Sequence, residues 1–215
     1  MKIFNKELSV EIDTFGAEIK SIKKNNVEYL WQGDPKFWKR SSPVLFPFVG
    51  KLMDNEYFYR GKTYEMMQHG FARDKEFDLI EQEDNLAVFL LRENLDTLAI
   101  YPFKFDLFIE YELEDNQIIV RWEVVNTNQS DMYFQIGGHP AFNFKNGSFI
   151  DINAITNIYQ LEDEPHITNV LKKQQVDTIE VDDTTFINDA VILDDIDKVI
   201  LRDKTKQVQI DCKGF

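Results

Sequence analysis

The sequence of 215 residues is poor in cysteine, proline, glycine and histidine, with one, six, nine and three of them. A single cysteine, Cys212, excludes an internal disulfide and fits the reducing cytoplasm, where we expect the protein. So few prolines and glycines exclude a collagen-like or low-complexity segment. No apolar run approaches the ~20 residues that a membrane helix needs, and the first residues hold no signal-peptide core. We therefore expect no membrane partner.

Positive charge is also scarce. Against 38 Asp and Glu there are 24 Lys and Arg, so the formal net charge at pH 7 is −14. An acidic protein repels phosphate backbones, and the lysines are too scattered to form a basic patch, so we expect no nucleic-acid partner. Gly-rich phosphate loops, HExxH, CxxC and Gly-x-Ser-x-Gly are all missing. His69, His139 and a carboxylate are conceivable metal ligands, but no close-spaced His-x-His pair supports them, so we predict no metal.

Hydrophobic residues make up 43% and aromatic residues 13% of the sequence, which is enough for a globular core. Most of the readable pattern has period two: apolar residues occupy every odd position of 105–113, and a second such stretch follows the turn residues 114–116. The apolar stretch 86–91 predicts a strand buried on both faces, and 94–101 predicts a short helix. The sequence therefore predicts an all-β protein, a sandwich or barrel, with 1–215 as a single domain.

Two of the histidines stand beside glycines, in Gln68–Asp74 and Gly137–Asn143. Histidine is suited to carry a proton near neutral pH, and glycine allows a sharp turn or a close approach. His69 is either a ligand-facing residue, with Arg73 as a hydrogen-bonding fork, or a turn histidine bonded to backbone beside an Arg73–Asp74 ion pair. For His69 alone the second interpretation is favoured. For His139 a ligand-facing role and a turn-anchoring role are equally supported.

Two further polar residues carry weaker signals. His166 lies in the acidic stretch 162–166, which predicts a surface loop. Asp189 precedes the apolar stretch 190–193, which predicts a strand. A carboxylate at a strand edge is a good acceptor for sugar hydroxyls, and it is equally typical of a turn.

The ordered set of these segments resembles the aldose 1-epimerase (galactose mutarotase) family, in particular its LacX-like branch. The stretches that carry the resemblance span most of the chain and follow the family's order: Trp31–Asp34, Pro43–Leu52, the two histidine segments, and Asn188–Ala190. The resemblance implies a large, twisted antiparallel β-sandwich, the galactose mutarotase-like supersandwich. It also implies interconversion of the α and β anomers of a hexose of the galactose or glucose type, without a cofactor.

The family's site residues map onto this sequence one by one. The histidine that protonates the ring oxygen of the sugar matches His139, and the histidine that binds and polarises the sugar matches His69. The aspartate that binds sugar hydroxyls matches Asp189. Arg73 is expected to hold hydroxyls or a charged substituent. The resemblance thus predicts His139 and His69 as catalytic residues, and Arg73 and Asp189 as substrate-binding residues.

One part of the family pattern has no match here. The family's general base is a glutamate in a Glu-Pro-Trp-like context, and the sequence reaches Phe215 where that region begins. The resemblance therefore predicts a sandwich that is incomplete at its C-terminus. If the whole protein ends at Phe215, weak or absent turnover and self-association through exposed strand edges are also expected. Two alternatives remain open: a sugar-binding module without catalysis, and a hexose-phosphate epimerase, for which Arg73, Lys51 and Arg40 are the candidate phosphate contacts.

Overall fold

The structure, a computed structural model, describes residues 1–162 and 166–212, and the side chains of these residues except 160–172. The chain divides into two compact units, Met1–Asn143 and Phe144–Phe215. In both units the described strands pair antiparallel, so the predicted all-β, antiparallel fold class is confirmed.

The first unit contains two four-stranded sheets and two short strand pairs. One sheet is a meander of β1 (Lys2–Phe4), β2 (Leu8–Ile12), β3 (Ile19–Lys24) and β4 (Val27–Glu28). The other has the order β11-β10-β9-β8 and consists of β8 (Asp78–Gln82), β9 (Leu86–Arg92), β10 (Phe105–Glu114) and β11 (Gln117–Asn126). The pairs are β5 (Val44–Leu45) with β12 (Gly137–Gly138), and β6 (Glu56–Tyr59) with β7 (Lys62–Glu65).

Strand β10 follows directly from the period-two pattern. Its odd positions, from Phe105 to Leu113, are all buried, whereas the even positions are only partly covered. The buried face joins a single cluster with the inward side chains of β2 and β9 and with the aromatic residues Phe46, Phe71 and Tyr101. Because successive side chains of a strand point to opposite faces, this alternation places half of the strand in the core.

The predicted short helix is also present, as α1 (Leu95–Ile100). Asn94 and Thr97 form a reciprocal capping box: the Asn94 side chain accepts from the Thr97 N–H, and the Thr97 hydroxyl accepts from the Asn94 N–H. Such a box satisfies two of the N–H groups that a helix start leaves without a partner. Within the described part of the chain, no helix has both the length and the apolar character needed to span a bilayer.

The second unit is a separate antiparallel sheet with the order β14-β13-β16-β17, and β15 also pairs with β13. Its strands are β13 (Phe149–Glu162), β14 (His166–Glu180), β15 (Ile192–Leu193), β16 (Lys198–Arg202) and β17 (Gln207–Asp211). His166, predicted to lie in a surface loop, instead begins β14, because the backbone there pairs with Glu162. The three residues between these strands lie outside the described residues.

Candidate functional site

The first histidine segment is held by an unusually close approach of two backbones. The carbonyl oxygen of Phe46 accepts from the N–H groups of Phe71 and Ala72, at 2.9 and 3.1 Å. Gly70 lies directly against this carbonyl with a φ of +71°, and a Cβ built on it would stand 2.2 Å from the Phe46 oxygen. Only glycine fits here, since any side chain would collide with backbone that is itself hydrogen-bonded.

The same approach fixes the ring of His69. Its backbone N–H donates to the carbonyl of Gly50 at 2.7 Å, and the Gly50 N–H donates to the ring Nδ1 of His69 at 3.0 Å. Because Nδ1 accepts this bond, the single proton of the neutral imidazole must sit on Nε2. His69 therefore presents Nε2–H as a fixed hydrogen-bond donor. Nδ1 of His69 is thus bonded to backbone, as one of the two interpretations predicts, while Nε2 remains available to a ligand.

The surroundings of His69 also keep it neutral. Burial of the half-buried ring lowers its pKa from 6.5 to about 4, and the positive charge of Arg73 and the neighbouring His139 and Arg40 act in the same direction. Desolvation and like charges both disfavour the imidazolium form. At physiological pH the ring is a neutral donor.

The second histidine reaches the same place from another direction. β12 (Gly137–Gly138) pairs with β5, and the N–H of the next residue, His139, donates to the carbonyl of Pro43 at 3.1 Å. His139 is exposed, and its ring centroid lies 5.8 Å from that of His69 and 5.0 Å from that of Trp38. The structure thus brings the two predicted catalytic histidines together, from segments 70 residues apart in the sequence.

Arg73 lies next to this pair, but its guanidinium is already engaged. One Nη2–H donates to the carbonyl of Gln68 at 2.6 Å, and its Nε stands 3.7 Å from a carboxylate oxygen of Asp74. Arg40 binds the other oxygen of Asp74 at 2.7 Å and donates to the Arg73 carbonyl at 3.2 Å. The predicted ion-pair alternative is therefore present. The pKa of Arg73 is lowered, chiefly by burial and next by Arg40, with Asp74 opposing.

Asp189 belongs to the second unit, so the structure describes its local conformation only. Its N–H donates to the carbonyl of Phe186 at 3.0 Å, and its φ is +71°, which places it in a turn with an exposed side chain. Left-handed backbone is tolerated by aspartate better than by most residues. Its role in binding sugar hydroxyls stays a prediction.

Two residues of the site, Gly50 and Trp38, were not predicted as functional. Gly50 falls inside the stretch 43–52 that carries the family resemblance, but nothing in its spacing indicates a bond to a histidine ring. Trp38 stands a few residues before the same stretch and shows no periodic pattern. Across the described residues, no group of three or more His, Cys, Asp and Glu side chains is arranged to hold a metal ion.

The profile of the family described as aldose 1-epimerase matches residues 2–213, nearly the whole chain. This chain belongs to the aldose 1-epimerase family. The predicted membership is therefore confirmed.

Known members of the family resemble this chain in sequence and in fold. The plasmid-encoded protein LacX of Lactococcus lactis subsp. lactis is 37% identical over a match that covers 66% of this chain and 50% of LacX. The chain thus spans about half the length of the curated relatives it matches.

Two solved structures show the same fold. A galactose mutarotase related enzyme from Lactobacillus acidophilus has 35% identity and a TM-score of 0.91, with 97% of this chain and 75% of that chain covered. A galactose mutarotase-like protein from Lactobacillus casei has 29% identity and a TM-score of 0.92, with 98% and 78% covered. The predicted galactose mutarotase-like fold is confirmed.

Proposed function

We propose that this member of the aldose 1-epimerase family binds a hexose, of the galactose or glucose type, at the His69–His139 pair and interconverts its α and β anomers. The observation that carries the proposal is that the ring centroids of His69 and His139 lie 5.8 Å apart, while the two imidazoles differ in their hydrogen bonding. One of them, His69, is a fixed neutral donor. The other, His139, makes no hydrogen bond through its ring nitrogens to any described residue, so both remain available to a sugar.

The reaction needs an acid at the ring oxygen of the sugar. We assign this role to His139 in its protonated form: Nε2–H or Nδ1–H donates to the ring oxygen, the bond from that oxygen to C1 breaks, and the C1 hydroxyl gives up its proton as the open-chain aldehyde forms. Rotation about the C1–C2 bond exposes the other face of the aldehyde. Ring closure on that face then returns the proton of the attacking sugar hydroxyl to His139, while the C1 oxygen takes back the proton that it gave up. A well-placed acid of this kind contributes roughly 10²–10⁴-fold in rate.

His69 has a different role in this scheme. With a pKa of about 4 it carries no transferable positive charge near neutral pH, and its Nδ1 is occupied by the Gly50 N–H. Its Nε2–H can only donate, which suits it to bind and polarise an oxygen of the sugar. This supports the assignment of His139 as acid and His69 as binding partner.

The proton of the C1 hydroxyl also needs an acceptor. Neither histidine supplies it, because His69 is a donor at Nε2 and His139 acts as the acid. The glutamate that the family resemblance implies, in a Glu-Pro-Trp-like context, has no match within these 215 residues. In this scheme solvent water takes that proton. A second candidate function is hexose binding at the same histidines without catalysis.

The substrate-binding role of Arg73 is part of the same proposal. Arg73 brings positive charge close to His69 and helps to lower the pKa of that ring, although its Nη2 donates to Gln68. The adjacent Arg40 adds a second charge, and Asp74 neutralises one of the two. A phosphorylated hexose is therefore a comparison worth making, with glucose 6-phosphate measured beside glucose.

Polarimetry on freshly dissolved α-galactose and α-glucose tests the proposal, with sugar binding followed in parallel by calorimetry. We expect hexose binding that His69→Gln weakens. We expect any catalysed mutarotation to be abolished by His139→Gln while binding survives. Arg121→Gln, a substitution in the exposed Glu110–Arg121–Glu112 cluster, serves as the matched control. Binding without mutarotation would favour the binding function, and the absence of both would refute the proposal.

A further inference from the structure

The ring of Trp38 packs against the proposed acid. The two ring centroids are 5.0 Å apart, with the planes inclined at 43°. The ring centroid of His139 also lies 5.8 Å from that of His69, with the planes inclined at 65°. The exposed His139 ring is therefore in contact range of both an indole and a second imidazole.

Trp38 is itself held by hydrogen bonds, and one of its partners is bonded to the segment that carries His139. Its N–H donates to the carbonyl of Asp34 at 2.9 Å, and its carbonyl accepts from the indole Nε1–H of Trp31 at 2.7 Å. The backbone N–H of Trp31 in turn donates to the carbonyl of Ala141 at 2.8 Å, two residues beyond His139. Hydrogen bonds through Trp31 thus join residues 34–38 to the segment that carries His139.

No hydrogen bond takes the place of this ring contact. A catalytic histidine is usually oriented by a carboxylate or a carbonyl that accepts from its second ring nitrogen. Among the described residues, none donates to or accepts from either ring nitrogen of His139. His69 shows the contrast, since Gly50 fixes its ring through Nδ1.

We infer that Trp38 is the positioning residue of His139: its indole face holds the imidazole in the orientation that a bound sugar meets. The inference rests on the proposed function. An orienting contact through the ring face leaves both nitrogens free, one to exchange a proton with the ring oxygen and the other to exchange with water. The 5.0 Å separation lies within the range in which aromatic rings attract each other.

A positioning residue affects the rate of the chemical step more than the binding of the sugar. Without the indole, the exposed imidazole samples further rotamers, and a displacement of about 1 Å from the reacting atom lowers a rate by up to about 10²-fold. Hydroxyl contacts made by other residues remain. Trp38→Leu should thus lower kcat by roughly 10- to 100-fold and change KM by less than about 3-fold.

Three variants of the full chain separate this role from a general loss of structure. Trp38→Leu removes the aromatic face, Trp38→Phe keeps a flat ring, and Phe37→Leu is the matched control, because Phe37 is 79% exposed and packs on Trp31 and not on His139. Trp38→Met replaces Trp38→Leu if the latter does not fold. Mutarotation of galactose gives kcat and KM, and ¹H–¹³C NMR of labelled histidine gives the shifts of the His139 ring protons.

We expect ring-current-shifted His139 signals in the wild type, in Phe37→Leu and, less strongly, in Trp38→Phe, and their loss in Trp38→Leu together with the fall in kcat. Unchanged His139 signals in Trp38→Leu, or a rise in KM with kcat intact, would overturn the inference. If the wild type turns over neither galactose nor glucose, the proposed epimerase activity fails, and the NMR comparison alone decides whether Trp38 orients the ring.

Discussion

Replacing Gly70 by alanine should destabilise the first unit far more than an ordinary glycine-to-alanine change. Its φ of +71° lies in the left-handed region, and the new Cβ would stand 2.2 Å from the carbonyl oxygen of Phe46 and 2.4 Å from the carbonyl carbon. Both obstacles are backbone atoms, so no side-chain rotation relieves the collision. The Phe46 carbonyl is also the acceptor for Phe71 and Ala72.

The magnitude follows from these two effects. An L-residue in left-handed backbone costs about 1 kcal/mol. Real Cβ contacts essentially never fall below 3.0 Å, so the two backbones must separate by about 0.8 Å. That movement weakens two hydrogen bonds, each with a net contribution of about 1 kcal/mol. We expect the free energy of unfolding to fall by about 3 kcal/mol, a large part of the roughly 5–15 kcal/mol typical of a folded protein.

Urea unfolding followed by circular dichroism measures the effect, and Gly61→Ala is the matched control. Gly61 has a similar φ of +81°, but nothing lies within 4 Å of the position that a Cβ on it would occupy. Only the backbone effect of about 1 kcal/mol then applies. The reasoning is refuted if the two variants lose equal stability, because the difference between them is the collision with Phe46.

Two further predictions concern titratable groups. As pH falls from 7 to 5, the unfolded state protonates its histidine near pH 6.5 while folded His69, with its pKa of about 4, does not, so stability falls. His69→Gln should reduce this loss of stability by about 1 kcal/mol, a figure that allows for solvent screening of the half-buried ring. Urea titrations of both proteins at pH 7 and pH 5 measure the loss, and an equal loss in wild type and variant would contradict the prediction. The side chain of Asp194 accepts from the Asn157 backbone and side chain and from the hydroxyls of Tyr159 and Thr156, which lower its pKa. Asp194→Ala should therefore lower the melting temperature at pH 7 more than the exposed control Asp197→Ala, and this difference should shrink as acid protonates the carboxyl; equal melting temperatures at pH 7 would count against it.

How much could be predicted from the sequence depended on whether a contact leaves a local pattern. The period-two alternation of 105–113 predicts β10, because burial of one face of a strand forces that spacing. The β13–β14 pair went unrecognised, since its polar positions break the alternation. Thr156 is fully buried there, and its hydroxyl is satisfied by Asp194, 38 residues away. No local pattern records such a bond.

The candidate site shows the same division. Glycine beside histidine pointed to both segments of the pair, because a close backbone approach demands glycine at Gly70. The partner that makes the approach necessary, Phe46, and the ring that packs on His139, Trp38, are joined to the histidines only through space. Their roles depend on tertiary geometry that spacing along the chain does not encode.

The different roles of the two histidines come from what surrounds them and not from residue type. A single backbone N–H, that of Gly50, occupies Nδ1 of His69 and so makes this imidazole a donor with a fixed tautomer. Burial and nearby positive charge then remove its proton-carrying form at neutral pH. The ring of His139 contacts the rings of Trp38 and His69, and no described residue forms a hydrogen bond with either of its nitrogens. A ring that is held in place but free to exchange its proton is what ring opening and closing of a sugar requires, since the same group must give the proton and take it back.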